Sequence, residues 1–421
     1  MTVTVEFSLI THLLRRAGLG FSYDELQQYA ALGYEGAVEK LLNPKSDPNF
    51  DYYEFIRRHP QADNPPGLLP GQMKYFYFLL NTKRPLEEKM ALFWHQVFAT
   101  GYSKVNDPHS TLSQMDMFRE EGLGNYTEED VYECSRAFTG WTTEARVGAF
   151  PYGRYPWKFE FRPEDHDYSE KTFLGHTGNF DGEDIIDIIL EQEACPRFIA
   201  RHLYNFFVED EPQVPAWNIE PPNNPEAVEY LANLLVESNY EITPVLKGLF
   251  HSDFFKESAY KRVRSPIELI VGTLRLAEDM IGPDPRVQET VYQPGFMGQE
   301  LMDPPSVEGW HTGKEWINSG ALVKRVNFVT DTMSDVNLPG VRKIIKKVAE
   351  GSATTSPEML VERCLELMGP LPVKDKTREE LIDHAMEYGD IGWDEDSYED
   401  SAKKAAEMLA LIASTREYQF G

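Results

Sequence analysis

Arg264-Ser265-Pro266-Ile267-Glu268-Leu269-Ile270-Val271-Gly272-Thr273-Leu274-Arg275 carries a complete helix start signal. The Ser265 hydroxyl and the Glu268 carboxylate are spaced to satisfy each other's unpaired amides in a first turn. Pro266 stands where a helix needs no N–H. The same box recurs at Ser22 and Glu25, and Thr127 precedes Glu128, Glu129 and Asp130, three carboxylates where the helix dipole favours them. Helices are therefore predicted to begin near residues 23, 128 and 266.

Helical spacing extends outward from these starts. Leu86, Met90, Phe93 and Val97 form one apolar stripe behind Pro85, with Glu87 and Glu88 in the first turn. Ile185, Ile186, Ile189 and Leu190 form another, and after a break at Pro196 a third runs through Ile199, Leu203 and Phe206. Patterns through Val228, Leu231 and Leu235, through Val245, Leu249 and Phe250, and in segments 357–369 and 401–414 complete the helical reading. Strand signals are few: Lys158-Phe159-Glu160-Phe161-Arg162 alternates with period two, and Lys171-Thr172-Phe173-Leu174 follows a polar turn. The expected fold is mainly α, a single large helical domain over residues 1–421 with one short β-hairpin near residues 158–174. Loops at 60–70 and 211–225 read as surface excursions, and no repeat of solenoid length is visible.

With 421 residues, 41% of them hydrophobic and 26% charged, the chain can bury a substantial core. Lys and Arg total 41 against 69 Asp and Glu, a net charge of −28 that opposes nucleic-acid and anionic-membrane binding. Cys134, Cys195 and Cys364 lack any pairing or zinc spacing and read as small buried residues. At the N-terminus Arg15 and Arg16 follow the leucines rather than precede them, so no signal peptide is read and the cytoplasm is expected.

Three places could carry chemistry. His95 lies roughly 180° around its helix from Leu86, flanked by Ala91 and Phe98, so it reads as a polar group inside a helix buried nearly all round. A buried imidazole needs a partner, structural or functional. His166 and Asp167 sit in the predicted turn with Lys171 behind them, which suits an acid–base site and equally a solvated turn. The stretch 297–311 joins Gln299, Asp303, paired prolines, Glu308, Trp310 and His311. An indole face beside carboxylates is what a carbohydrate site needs, and a rigid loop with a core tryptophan needs it too. No Walker loop, GxGxxG, HExxH or GxSxG occurs.

Taken together, HLLRRAGLGFSYDEL at 12–26, EKMALFWHQVFAT at 88–100, YTEEDVYECSRAFTGW at 126–141, RSPIELIVGTLR at 264–275, MGQELMDPPSVEGWHTGKEWI at 297–317 and ASTREYQF at 413–420 resemble the bacterial family catalogued as domain of unknown function 1800. The resemblance implies a mainly helical domain and no defined activity. It also implies export as an alternative to the cytoplasm, and a partner from a second family that resembles the alkaline-phosphatase superfamily. The chain departs from the family pattern before Tyr126, where an NENxxREL-type segment is missing and Met117–Asn125 run straight into the next helix.

Two functions follow as expectations. The first is an enzyme acting on a polar or carbohydrate-like substrate, by acid–base or metal-assisted chemistry. Its catalytic groups would be His95, His166, Asp167, Asp303, Glu308 and His311, with Trp94, Lys171, Gln299 and Trp310 contacting substrate, and the metal and any other cofactor left open. The second is a helical binding or assembly protein without catalysis.

Overall fold

A computed structural model describes residues 5–43, 51–60, 68–99, 101, 103, 127–143, 159–306 and 308–421. The chain is mainly α, as predicted, and its β-structure among these residues is three short two-stranded antiparallel pairs. The predicted starts hold. Tyr23–Ala30, Glu128–Ala137 and Pro266–Ala277 each begin with a reciprocal capping box, from Ser22 and Glu25, Thr127 and Asp130, and Ser265 and Glu268. Pro196 does not break a helix. It falls in the first turn of Ala194–Phe207, where its missing N–H costs no hydrogen bond.

The predicted hairpin needs correction. Both of its segments hold strands, but they do not pair with each other. Phe159–Phe161 pairs with Trp141–Thr143, and Lys171–Phe173 pairs with His176–Gly178. Two local features redirect the pairing. Pro163–Asp165 coils into a 3-10 turn after the first strand, and Leu174 and Gly175, both at positive φ, make the tight two-residue turn that closes the second pair. The third pair joins Thr354–Thr355 to Ile391–Gly392.

Every residue of Pro266–Ala277 is buried. This helix packs against Leu68–Asn81 on one side and against Ser319–Met333 and Pro339–Ala349 on the other. Its C-terminal Arg275 donates to the carbonyls of Leu80 and Thr82, the free end of the neighbouring helix, and to the Glu25 carboxylate at 2.7 Å. At its N-terminus Glu268, 3% exposed, accepts from Lys89, from Arg262 through both oxygens at 2.8 Å, and from the Ser265 amide at 2.6 Å. Burial alone would raise the Glu268 pKa, but Arg262 and Lys89 hold it well below the usual carboxylate range. Lys89 is pulled down to about 8 by burial, against the opposite pull of Glu268. The fold is thus built around a buried ionic core whose carboxylate also caps the central helix.

A candidate acid–base face on the Pro85–Val97 helix

Pro85–Val97 buries Leu86, Lys89, Met90, Leu92 and Phe93. The opposite side is not enclosed as expected: Ala91 is exposed, and Phe98, just past the helix end, is 47% exposed and stacks on Trp94. Glu88 and His95, seven residues apart, project within about 20° of each other. Both are half-buried. Tyr75 reaches the same region from Leu68–Asn81, its ring edge-on to His95 at 6.4 Å between centroids. Trp310 packs on His95 at 5.0 Å.

Three polar groups here have unspent hydrogen-bonding capacity. His95 Nε2 and the Tyr75 hydroxyl are shielded from solvent and have no hydrogen-bond partner among the described residues. Burial lowers the His95 pKa, so the imidazole is neutral, and burial raises that of Tyr75. Glu88 is pushed up to about 7 by burial, with the Glu87 charge adding to it, and no hydrogen bond or cation counters the shift. A carboxyl that titrates near neutrality can donate and accept protons at physiological pH. From sequence alone Glu88 is a first-turn carboxylate and no more. Its seven-residue spacing from His95 was the available signal; Tyr75, on another helix, gave none.

The 297–311 stretch is fastened to the same helix. Gln96 accepts from the Trp310 amide at 3.1 Å and donates to the Trp310 carbonyl at 2.8 Å. Gly309, at φ +85°, allows this approach, since a Cβ there would lie 2.5 Å from Gln96. Trp310 is 2% exposed and its indole N–H donates to the Glu300 carbonyl, so both ring faces are covered by protein. Gln299 is also buried, and its Oε1 accepts from the Ile267 amide at the start of the central helix. Asp303 accepts from the Ser103 amide and hydroxyl at 3.0 and 2.7 Å. The Glu308 carbonyl lies 3.4 Å from Gln96 Nε2, and His311 is exposed.

His166, Asp167 and Lys171 belong to a separate network. The His166 ring bonds the Thr139 carbonyl at 2.8 Å; Asp167 accepts from Arg136 at 2.8 Å, and Arg136 also pairs with Glu133 at 2.7 Å. The Arg136 guanidinium and then the Ser169 hydroxyl hold Asp167 well below the usual carboxylate range. Lys171, 1% exposed, donates to the Asp167 and Ser169 carbonyls. Among the described residues these groups share no hydrogen bond, ion pair or ring contact with His95 or Trp310. Of the predicted set, the structure brings together His95 and Trp310, with the 297–311 loop around them. Among the described residues no cluster of three His, Cys, Asp or Glu could hold a metal ion. Cys134, Cys195 and Cys364 are buried, and none of them is in a disulfide. No helix among the described residues is long and apolar enough to cross a membrane.

Fold and site together define a mainly helical protein with a buried ionic core and, on adjacent helices, a carboxyl, a phenol and an imidazole Nε2 that have no hydrogen-bond partner among the described residues. The chain belongs to the family described as Protein of unknown function (DUF1800), whose model matches residues 12–128 and 122–420. No curated protein and no solved structure matches it. The segment before Tyr126 that departs from the family pattern lies outside the described residues.

Proposed function

We propose that the chain is an acid–base enzyme acting on a polar substrate, with Glu88 as the group that gives or takes the proton and with Tyr75 and His95 packed beside it. The observation that carries this reading is Glu88 itself, whose carboxyl is pushed up to about 7 with no counter-charge. Glu268 and Asp167, each bonded to an arginine, are instead held down by those cations. The buried indole of Trp310 supplies no stacking face for a sugar ring, so the face supports a polar substrate without a stacked ring. His166, Asp167 and Lys171 are left to structure.

The carboxyl carbon of Glu88, followed by NMR against pH, is expected to titrate with a midpoint near 7. Hydrolysis or isomerisation of a panel of polar substrates should then show a pH limb at that midpoint, and the limb should vanish in Glu88→Gln. A Glu88 midpoint at an ordinary carboxylate value, about 4.3, would remove the proposal.

The non-catalytic reading has one observation in its favour: the 166–171 groups are engaged in holding their own turn. Under it, the alkaline-phosphatase-like partner implied by the family is the protein to be bound. Co-purification of the two, with Glu88→Gln binding as tightly as wild type, would favour it.

A further inference from the structure

Behind the acid–base face, a small cavity of about 20 Å³ lies where the N-terminus of Pro266–Ala277 meets the Pro85–Val97 and Ala194–Phe207 helices. That volume holds one water-sized species. The side chains lining it include Arg262, Ser265, Asn205, Gln299, Thr312 and Trp316. What distinguishes them is which of their atoms are already used. The Gln299 side-chain oxygen is committed to the Ile267 amide and the Asn205 oxygen to the Glu211 amide, each at 3.0 Å, which leaves their NH₂ ends for another partner. Ser265 accepts the Glu268 amide and keeps its hydroxyl hydrogen. Trp316 is 3% exposed, and its Nε1–H, which can only donate, has no hydrogen-bond partner among the described residues. His202, also on the wall, is kept neutral, its pKa lowered to about 3 by burial and by Arg201. The wall therefore offers the NH₂ groups of Gln299 and Asn205, the Ser265 hydroxyl and the Trp316 indole N–H as donors, beside one acceptor nitrogen of the neutral His202 ring and the Thr312 hydroxyl.

The surrounding charge has the same sign. Arg16, Lys89, Arg262, Arg264 and Arg325 are all buried. The carboxylates tied to them by hydrogen bond or direct electrostatic coupling are Glu268 and Asp210. Burial raises the Asp210 pKa, against the lowering pull of Arg262 and the Val263 amide, and among the described residues its Oδ1 has no hydrogen-bond partner. Among the described residues Arg16 and Arg325 each retain a buried nitrogen with no hydrogen-bond partner, in the same ionic core but outside the cavity wall. An excess of buried cations is costly unless an anion shares the space.

We infer that this cavity binds a single monatomic anion, of the chloride class, held by Arg262, the amides of Gln299 and Asn205 and the Trp316 indole N–H. A water molecule would fit the volume, but it would accept at most two of these donors and bring no charge. The anion ties the 297–316 loop to the ionic core, because Trp316 and Gln299 come from that loop and Arg262 contacts the Glu268 carboxylate.

The inference is independent of the acid–base proposal and is tested separately. Thermal unfolding of the full chain in sodium chloride or bromide should show a saturable rise in Tm of about 2–4 °C over sodium gluconate at matched ionic strength. Trp316→Phe, which removes one donor and keeps the ring, should weaken the half-saturating concentration several-fold. Crystals soaked in bromide should give an anomalous peak in the cavity of the unaltered protein, a readout that does not depend on the variant folding. A cavity holding only water after the soak, or a chloride shift of equal size and midpoint in Trp316→Phe, would overturn the assignment.

Discussion

Glu268→Gln is expected to destabilise the fold by about 3–5 kcal/mol, measured by urea unfolding at pH 7, because it leaves buried cations without their carboxylate. Glutamine keeps the shape and can still accept from the Ser265 amide. It cannot neutralise Arg262 or Lys89, which Glu268 contacts directly. The loss is limited by Lys89. Its pKa already sits at about 8, and without the raising pull of Glu268 the ammonium releases its proton near neutrality. Lys89→Met in the Glu268→Gln background should therefore cost less than the sum of the two single changes. The pH dependence has a definite sign. Glu268 has a folded pKa below its unfolded one, so its contribution is complete above about pH 4.3 and is lost as pH falls through that value toward the folded pKa. Lys89 has a folded pKa of about 8, below the unfolded value of about 10.4, so the cost of burying its charge is full below pH 8 and is relieved between those values. Glu268→Gln should flatten the acid limb. A loss under about 1 kcal/mol, with the acid limb unchanged, would show that the ionic core is not what holds the central helix.

Local chemistry made the helices legible. Ser22, Thr127 and Ser265 announce their caps within four residues, and each cap is formed in the structure. Pairing over distance was not legible. The strand at Phe159–Phe161 reads clearly as a strand, yet its partner, Trp141–Thr143, is set by packing and not by its own pattern. The same limit applied to the site. His95 and Trp310 stood out as residue types, and they do meet. Glu88 did not, because a glutamate in a first turn looks like dipole compensation; what marks it is the absence of a nearby cation, a property of the folded surroundings. Lys89 beside it was unreadable for the opposite reason: a lysine in an amphipathic helix suggests solvent, and this one is fully buried against a carboxylate from a distant helix. Only the capping role of Glu268 was visible; its role as the counter-charge of the core was not.

Gly20→Ala is expected to cost about 2–5 kcal/mol, through two effects that a control can separate. Gly20 sits at φ +81°, and a Cβ there would lie 2.6 Å from the Cα of Gly272 in the central helix and 3.3 Å from its carbonyl oxygen. Both contacts are backbone, in a helix buried along its whole length, so neither neighbour can yield cheaply. Gly351 has nearly the same φ, +82°, with nothing within 4 Å of its would-be Cβ. Gly351→Ala thus reports the left-handed backbone cost alone, about 1–2 kcal/mol, and the excess in Gly20→Ala is the price of separating two backbones. Gly272→Ala should fall between them: its Cβ would meet the Arg264 Nη2 at 2.1 Å, a side-chain end that can shift at the expense of its bond to the Glu268 carbonyl. The stretches 12–26 and 264–275 are both family-like, but neither indicates that the other is its contact. Their glycines supply the reason, since the turn at Leu19–Gly20 lies directly on the central helix, leaving no room for a side chain between them. If Gly20→Ala and Gly351→Ala shift the urea midpoint equally, the two segments are not in backbone contact, and the placement of the N-terminal helices on the ionic core would have to be redrawn.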